Sequence, residues 1–203
     1  MALTMAKLTE EEIIRKPLMI AMKGHPATGK STLAHALAST LKFPLIDKDD
    51  IRDSTFHLQQ SSSSSSSHLL NDLSYEAIWR VASTQLQIGL SVIIDSPLSR
   101  RTHLDRLLDL AASTGAQLLV VECQALDQAK WRERLEGREK SWHKPTTWEE
   151  LEKLVKGYSG CTEYDVGDVP KMVVDTTAPN LGVEELVSSV VDFIASSCGG
   201  TCA

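Results

Sequence analysis

Apolar residues along the chain fall into short continuous runs, and these runs alternate with stretches of helical periodicity. Short continuous apolar runs of this kind are typical of strands that are buried on both faces. We predict five such strands, at residues 18–22, 44–46, 91–94, 117–122 and 171–174. Apolar positions three and four residues apart predict helices over residues 30–41, 72–88, about 104–114, within the charged region 127–156, and around 186–194. This alternation predicts an α/β domain with a parallel sheet and helices on both faces, with ligand sites at the carboxyl ends of the strands.

Two segments interrupt the alternation. Residues 9–14 read TEEEII, a capping threonine followed by acids, which predicts a short helix ahead of the domain. Seven consecutive serines, Ser61–Ser67, have nothing to bury and predict a mobile insertion. We therefore expect an N-terminal extension at residues 1–17, one domain at 18–197 with a flexible serine-rich insertion at 59–68, and a short tail at 198–203.

Composition narrows the class of protein only moderately. The chain has 203 residues, of which 42% are hydrophobic and 24% charged, as in ordinary globular proteins. A net charge of −6 argues mildly against a dedicated nucleic-acid binder without excluding one. The four cysteines lack the spacing of a zinc site and are expected to be free thiols, and no run approaches the ~20 apolar residues of a membrane span. We expect a cytoplasmic protein without a membrane partner.

Residues 24–31 read GHPATGKS and match G-x-x-x-x-G-K-[ST] at every fixed position, between a predicted strand and a predicted helix. In this motif the backbone N–H groups and the helix N-terminus face the phosphates of a nucleotide. The lysine bridges the β- and γ-phosphates and the serine hydroxyl binds Mg²⁺. The predicted nucleotide-binding residues are Gly24, His25, Pro26, Ala27, Thr28, Gly29, Lys30, Ser31 and Thr32.

Two further acidic positions follow predicted strands. Asp95 ends the third strand, where a carboxylate can bind Mg²⁺, although an aspartate there also favours a turn. Residues 47–52 read DKDDIR after the second strand, where a kinase needs a carboxylate to orient the acceptor hydroxyl and take its proton. Arg52 could bind a polar or anionic part of the acceptor. The alternative is a solvated loop in which Asp49 or Asp50 caps a helix.

Basic residues recur every fourth position in the charged region. Lys130, Arg134 and Arg138 would form one stripe on a helix, which invites an anionic partner such as a transferring phosphate. We predict a helical lid at about residues 130–148, with Arg134 and Arg138 as catalytic residues. A solvated helix whose basic side chains meet nearby acids is the alternative.

The order of these features resembles the small P-loop kinases, which include chloramphenicol phosphotransferase, zeta toxins, gluconate and shikimate kinases, and the kinase domain of polynucleotide kinase. The resemblance spans residues 18–195 and depends on the GHPATGKS loop, the Asp49-Asp50-Ile51-Arg52 run, Asp95 and the arginine-bearing lid. It implies a P-loop NTPase fold with a five-stranded sheet of order 2-3-1-4-5. It also implies Asp49 as the general base, with Asp50 as the alternative, and ATP as the nucleotide.

These features predict an ATP- and Mg²⁺-dependent phosphotransferase that acts on a hydroxyl of a small-molecule acceptor. Lys30 and Asp49 are its predicted catalytic residues beside the lid arginines, and Asp50 and Arg52 its predicted substrate-binding residues. Ser31 and Asp95 are the predicted metal ligands. A kinase of 5′-hydroxyl nucleic-acid ends or of sugar nucleotides is one alternative, and a regulatory P-loop NTPase is another.

Overall fold

The computed structural model of the chain describes residues 16–60, 66–138, 142–158, 162–179 and 181–198. Most of the predicted N-terminal extension, with its short helix, lies outside the described residues. The same holds for the first five residues of the serine tract, 61–65, and for most of the predicted tail, residues 199–203. No helix of the described chain is long and apolar enough to cross a membrane.

Five parallel strands form a single sheet in the order β2-β3-β1-β4-β5. Their bounds are β1 Leu18–Lys23, β2 Leu45–Asp47, β3 Val92–Asp95, β4 Gln117–Gln124 and β5 Lys171–Asp175. The sheet order and the parallel arrangement confirm the predicted fold. The central strand β1 is deeply buried, since residues 19–22 are at most 1% exposed, which explains its unbroken apolar sequence.

Eight helices lie in the described chain, and they cover both faces of the sheet. Their bounds are α1 Lys30–Leu41, α2 Lys48–Ser54, α3 Phe56–Gln60, α4 Ser66–Gln87, α5 Arg101–Thr114, α6 Gln128–Gly137, α7 Trp148–Gly157 and α8 Val183–Cys198. On one face α4 and α5 pack against alternate residues of the strands, including Met19 and Val120. On the other face α1 and α8 pack against the intervening residues, including Ile20 and Val121. The carboxyl ends of the strands therefore open at one edge, between these two layers.

Helix α4 differs from its prediction at its start, and the structure shows which of its two apolar stripes is buried. It begins at Ser66 rather than Asp72, so the end of the serine tract is helical. Ile78, Ala82 and Leu86 are at most 2% exposed, whereas Leu73 and Val81 are 52% and 44% exposed. Both stripes have helical spacing, and only the packing against β3 and α5 decides which of them is buried.

The charged region forms two helices, and Pro145 lies between them. Asp127 caps α6 by accepting hydrogen bonds from the N–H groups of residues 129 and 130, and α6 ends at Gly137. Arg138 follows in an extended conformation, with φ −79° and ψ 158°. The prediction of a helical stripe that includes Arg138 is therefore wrong, because glycine ends the helix before the third basic residue. The described part of residues 138–147 is irregular, and Thr147 then starts α7 with a capping box.

Candidate active site

The loop between β1 and α1 uses backbone conformations that favour glycine. Gly24 has φ +150°, and a Cβ there would lie 2.5 Å from the carbonyl oxygen of Cys123 on β4. Gly29 caps α1 with φ +80°. Ala27 has φ +62°, a left-handed conformation that costs an L-residue about 1–2 kcal/mol. Such a curled backbone before a helix N-terminus is suited to binding phosphate.

Contacts from distant elements hold this phosphate loop in place. Thr176, just after β5, donates a hydrogen bond of 2.6 Å to the carbonyl oxygen of Thr28. Trp131 on α6 donates from its indole nitrogen to the carbonyl oxygen of Pro26 at 2.9 Å. The ring of His25 stacks on Trp131 and also on Tyr158, each at 6.2 Å between centroids. Side chains from distant parts of the chain, Thr176, Trp131 and Tyr158, thus hold the phosphate loop in this conformation.

Lys30 and Asp95 meet at the floor of the site. The Lys30 ammonium donates a short hydrogen bond to Oδ1 of Asp95, a residue that is 1% exposed. The other carboxylate oxygen, Oδ2, is buried and has no hydrogen-bond partner among the described residues. An unpaired buried carboxylate oxygen is a ligand position that a cation can use. Ser31 follows Lys30 directly and adds a hydroxyl oxygen. The Asp95 carboxylate and the Ser31 hydroxyl fit Mg²⁺, which in proteins is usually bound through one or two side chains and substrate phosphates.

Asp47 lies beside Asp95, since β2 and β3 pair these two residues in register. Burial and the charge of Asp95 raise the pKa of Asp47 from its ordinary 3.8 to about 6. The side chain of Asp47 accepts a hydrogen bond from the N–H of Asp49 at 2.8 Å and caps α2. The helix-capping role that we considered for Asp49 or Asp50 therefore belongs to Asp47.

Asp49 is surrounded by positive or polar groups. Lys144 lies 2.7 Å from its Oδ2, Lys48 3.2 Å from its Oδ1, and the Nε2 of His143 3.4 Å from its Oδ1. Burial alone would raise the pKa of Asp49, but the hydrogen bond from His143 and the two lysines outweigh it and hold this pKa well below its usual range. Asp49 is therefore ionised at neutral pH.

The other predicted acceptor-side residues lie elsewhere. Asp50 is exposed on α2. Arg52 is 3% exposed, donates to the hydroxyl of Thr55 at 2.9 Å and lies 4.2 Å from the ring centroid of Trp142. Neither Asp50 nor Arg52 lines the cavity that contains Asp49, so their role in substrate binding stays a prediction.

The basic residues of the predicted lid separate into different positions. Arg134 donates to the hydroxyl and the carbonyl oxygen of Thr176, at 2.9 and 2.8 Å. Arg138 donates to the carbonyl oxygen of Pro145, and burial lowers the pKa of its guanidinium. Both arginines line the cavity, whereas Lys130 bonds the carbonyl oxygen of Thr177 and does not line it.

One cavity of about 700 Å³ connects the phosphate loop to Asp49. Six cationic residues line it: Lys30, Lys48, Arg100, Arg134, Arg138 and Lys144. Asp49 is the only acidic residue among the described residues that line it. Near α8 the wall becomes apolar, at Leu181, Val183 and Leu186. A cavity with this charge distribution is suited to a polyanionic ligand with an apolar part.

Comparison with known proteins agrees with this geometry. A family model described as AAA domain matches residues 19–158, from β1 to the end of α7. The chain belongs to this AAA domain family. Among curated proteins, none matches the chain closely enough to be counted as a relative.

Solved structures share the fold of this AAA domain. A candidate kinase from Chloroflexus aurantiacus is 24% identical over 90% of this chain and 98% of its own, with a TM-score of 0.68. A gluconokinase from Sinorhizobium meliloti 1021 is 19% identical over 91% and 95%, with a TM-score of 0.58. The APS kinase of Mycobacterium tuberculosis, in complex with AMPPNP and APS, is 15% identical over 89% and 98%, with a TM-score of 0.57. At these identities the likeness is one of fold, and that fold is the one of P-loop small-molecule kinases.

Sequence reasoning missed several side chains that complete the site of this AAA domain. His143 and Lys144 approach Asp49 from the loop before α7, and nothing in their local sequence signals this contact. Nor does the local sequence around Trp131 signal its hydrogen bond to the phosphate loop. Thr176 had a signal, because it follows β5 at the carboxyl edge of the sheet. Arg100, at the start of α5, had none.

Proposed function

We propose that this protein is an ATP-dependent phosphotransferase that moves the γ-phosphate to a hydroxyl group of a small-molecule acceptor. The observation that carries the proposal is the single cavity in which the phosphate loop and the ionised Asp49 both take part. A nucleotide-hydrolysing switch needs the phosphate loop but gives a partly buried, ionised carboxylate at the other end of the cavity no task. A kinase needs both.

At the nucleotide end, the backbone of residues 24–29 and the N-terminus of α1 bind the phosphates. Lys30 exchanges its contact with Asp95 for the β- and γ-phosphate oxygens. Ser31 and Asp95 would hold Mg²⁺, which when bound neutralises charge on the phosphate oxygens. Val183 and Leu186 offer an apolar surface for the purine, and Arg134 beside them can stack on its face.

At the acceptor end, Asp49 accepts a hydrogen bond from the hydroxyl and orients its oxygen toward the γ-phosphorus. As the new O–P bond forms, the bond from phosphorus to the β,γ-bridging oxygen breaks, the hydroxyl proton passes to Asp49, and ADP leaves. Asp49 is a weak base while His143, Lys48 and Lys144 contact it, and we expect the acceptor hydroxyl to replace Lys144 at Oδ2. Arg138, which lines the same cavity and is close enough to feel the charge of Asp49, can neutralise charge on the transferring group.

The fold likeness to gluconokinase and APS kinase supports a small acceptor, and the AMPPNP in the APS kinase complex supports an adenine nucleotide. Neither likeness identifies the acceptor of this protein, which has to come from experiment.

The test is transfer of label from γ-labelled ATP, with Mg²⁺, to a panel of sugars, sugar acids, nucleosides, other hydroxylated metabolites and 5′-hydroxyl oligonucleotides. Lys30→Ala serves as the blank. In the variant Asp49→Asn, turnover should fall by ~10²-fold or more while the affinity for ATP changes little, because a positioned base contributes about that factor. Label on oligonucleotide ends would favour a nucleic-acid kinase. Release of free phosphate with no labelled acceptor, at equal rates in wild type and Asp49→Asn, would support a regulatory NTPase and refute the proposal.

A further inference from the structure

The end of the cavity around Asp49 carries more positive charge than its carboxylate balances. We call this end the acceptor half, and define it as Lys48, Asp49, Asn71, Arg100, His103 and Lys144. Three of these residues are cationic and one is acidic. The proposed mechanism assigns the other three cations of the cavity, Lys30, Arg134 and Arg138, to the phosphates of the nucleotide. Because the whole chain has a net charge of −6, this local excess is not a general property of the surface.

Two of the three cations already have a partner. Lys48, 6% exposed, contacts Asp49 at 3.2 Å and the side-chain oxygen of Asn71 at 3.4 Å. Lys144 contacts the other oxygen of Asp49 at 2.7 Å. One carboxylate thus serves two ammonium groups, and when an acceptor hydroxyl takes its place beside Asp49, Lys144 needs another anion.

Arg100 is the third cation, and its guanidinium makes no hydrogen bond or ion pair with any described residue. It lines the cavity at the start of α5. No side chain caps this helix and its first turn has no acidic residue, so the helix dipole adds to the positive potential there. An arginine with an open guanidinium fork is suited to binding a carboxylate or phosphate in a bidentate manner.

His103 lies one turn after Arg100 on α5, and its pKa reflects both burial and the positive charge of Arg100. Burial and the charge of Arg100 lower the pKa of His103 to about 4, so its imidazole is neutral at physiological pH. Its Nδ1 is buried without a hydrogen-bond partner in the described part of the chain. The ring packs on Tyr75 at 4.1 Å between centroids. The acceptor half therefore combines an open guanidinium with a neutral polar group.

We propose that the acceptor is anionic: besides the hydroxyl that is phosphorylated, it carries a carboxylate or phosphate group that binds Arg100 and draws Lys144 away from Asp49. This inference rests on the proposed function and names its substrate class. Arg100 is then the residue that determines acceptor specificity. Neutral alcohols of the same size leave two cations without counter-charge and bind weakly.

The experiment compares acceptors that differ only in charge. Transfer from γ-labelled ATP is measured to D-gluconate against sorbitol, to D-glycerate against glycerol, and to glycerol 3-phosphate against glycerol. Binding of the same compounds to the protein with AMPPNP and Mg²⁺ is measured by calorimetry. Arg100→Gln is compared with wild type, and Arg101→Gln is the matched control, because Arg101 bonds Asp105 and does not line the cavity.

We expect at least one anionic compound to bind and to accept label more than tenfold better than its neutral partner. Arg100→Gln should weaken it about 10- to 100-fold, the usual effect of a charge-assisted hydrogen bond, with the KM for ATP within about twofold. Arg100→Lys should restore part of the binding, and Arg101→Gln should have no effect. Comparison of the carboxylate and phosphate arms identifies the group.

Equal use of neutral and anionic acceptors, or binding of none of the anions, would overturn the inference while leaving the phosphotransferase proposal intact. Binding of an anion that depends on Arg100 with no transfer to any acceptor would have the opposite meaning. The anion site would stand, and the proposed function would fail.

Discussion

The aspartate at the end of β2, Asp47, should destabilise the fold at neutral pH, and replacing it with asparagine should increase stability. In the folded state the pKa of Asp47 is about 6, against 3.8 for an ordinary aspartate. The folded state therefore holds the proton more tightly, so the stabilisation from neutral Asp47 is fully present below about pH 4 and is lost as pH rises through about 6. At about 1.4 kcal/mol per pKa unit the loss is at most about 3 kcal/mol. Because Asp47 is partly exposed, screening reduces it to about 1–2 kcal/mol.

Asparagine removes the charge that Asp95 repels and keeps an oxygen that can accept the hydrogen bond from the N–H of Asp49. Urea unfolding of nucleotide-free wild type and Asp47→Asn, at about pH 4 and about pH 8, measures the difference. We expect the variant to be more stable by about 1–2 kcal/mol at the higher pH and by no more than a few tenths at the lower. Asp50→Asn, on the exposed side of α2, should show no such gain. A difference that is the same at both pH values would refute the reasoning.

The loop and its supports allow two further predictions. Gly24→Ala should destabilise the protein by about 3 kcal/mol or abolish folding, because its Cβ would lie 2.5 Å from a backbone carbonyl oxygen of β4. Gly89 has φ +83° but lies in open space, so Gly89→Ala should lose only about 1–2 kcal/mol in the same urea titration. Thr176→Val leaves the carbonyl oxygen of Thr28 without its buried hydrogen-bond donor and should lower the free energy of unfolding by about 1–3 kcal/mol. The control Thr84→Val, at an exposed position on α4, should lower it by less than about 0.5 kcal/mol. Equal losses within either pair would contradict the prediction.

The strands were predictable because burial on both faces leaves a local mark. Each predicted strand lies within about two residues of its observed bounds, and the central run before the phosphate loop is the clearest. The order of the strands left no such mark in the sequence and came from the resemblance to small P-loop kinases. The buried stripe of α4 could not be predicted either, because two stripes of similar hydrophobicity lie on that helix and only contacts with other elements distinguish them.

The site was predictable where its residues are contiguous. The phosphate loop is a single segment whose glycines, lysine and serine have fixed spacing. The surroundings of Asp49 are assembled from residues far apart, since His143 and Lys144 come from a loop with no periodic pattern. The arginine stripe failed at Arg138 for a local reason that the sequence did contain, a glycine at position 137 that favours the end of a helix.

The contacts of Thr176 connect three parts of the structure. This side chain binds the phosphate loop through Thr28 and α6 through Arg134, so the carboxyl end of the sheet, the loop and this helix are linked at one residue. A swing of the whole of α6 would break a buried hydrogen bond network. A substitution at Thr176 therefore disturbs the phosphate loop and α6 together, because one side chain serves both.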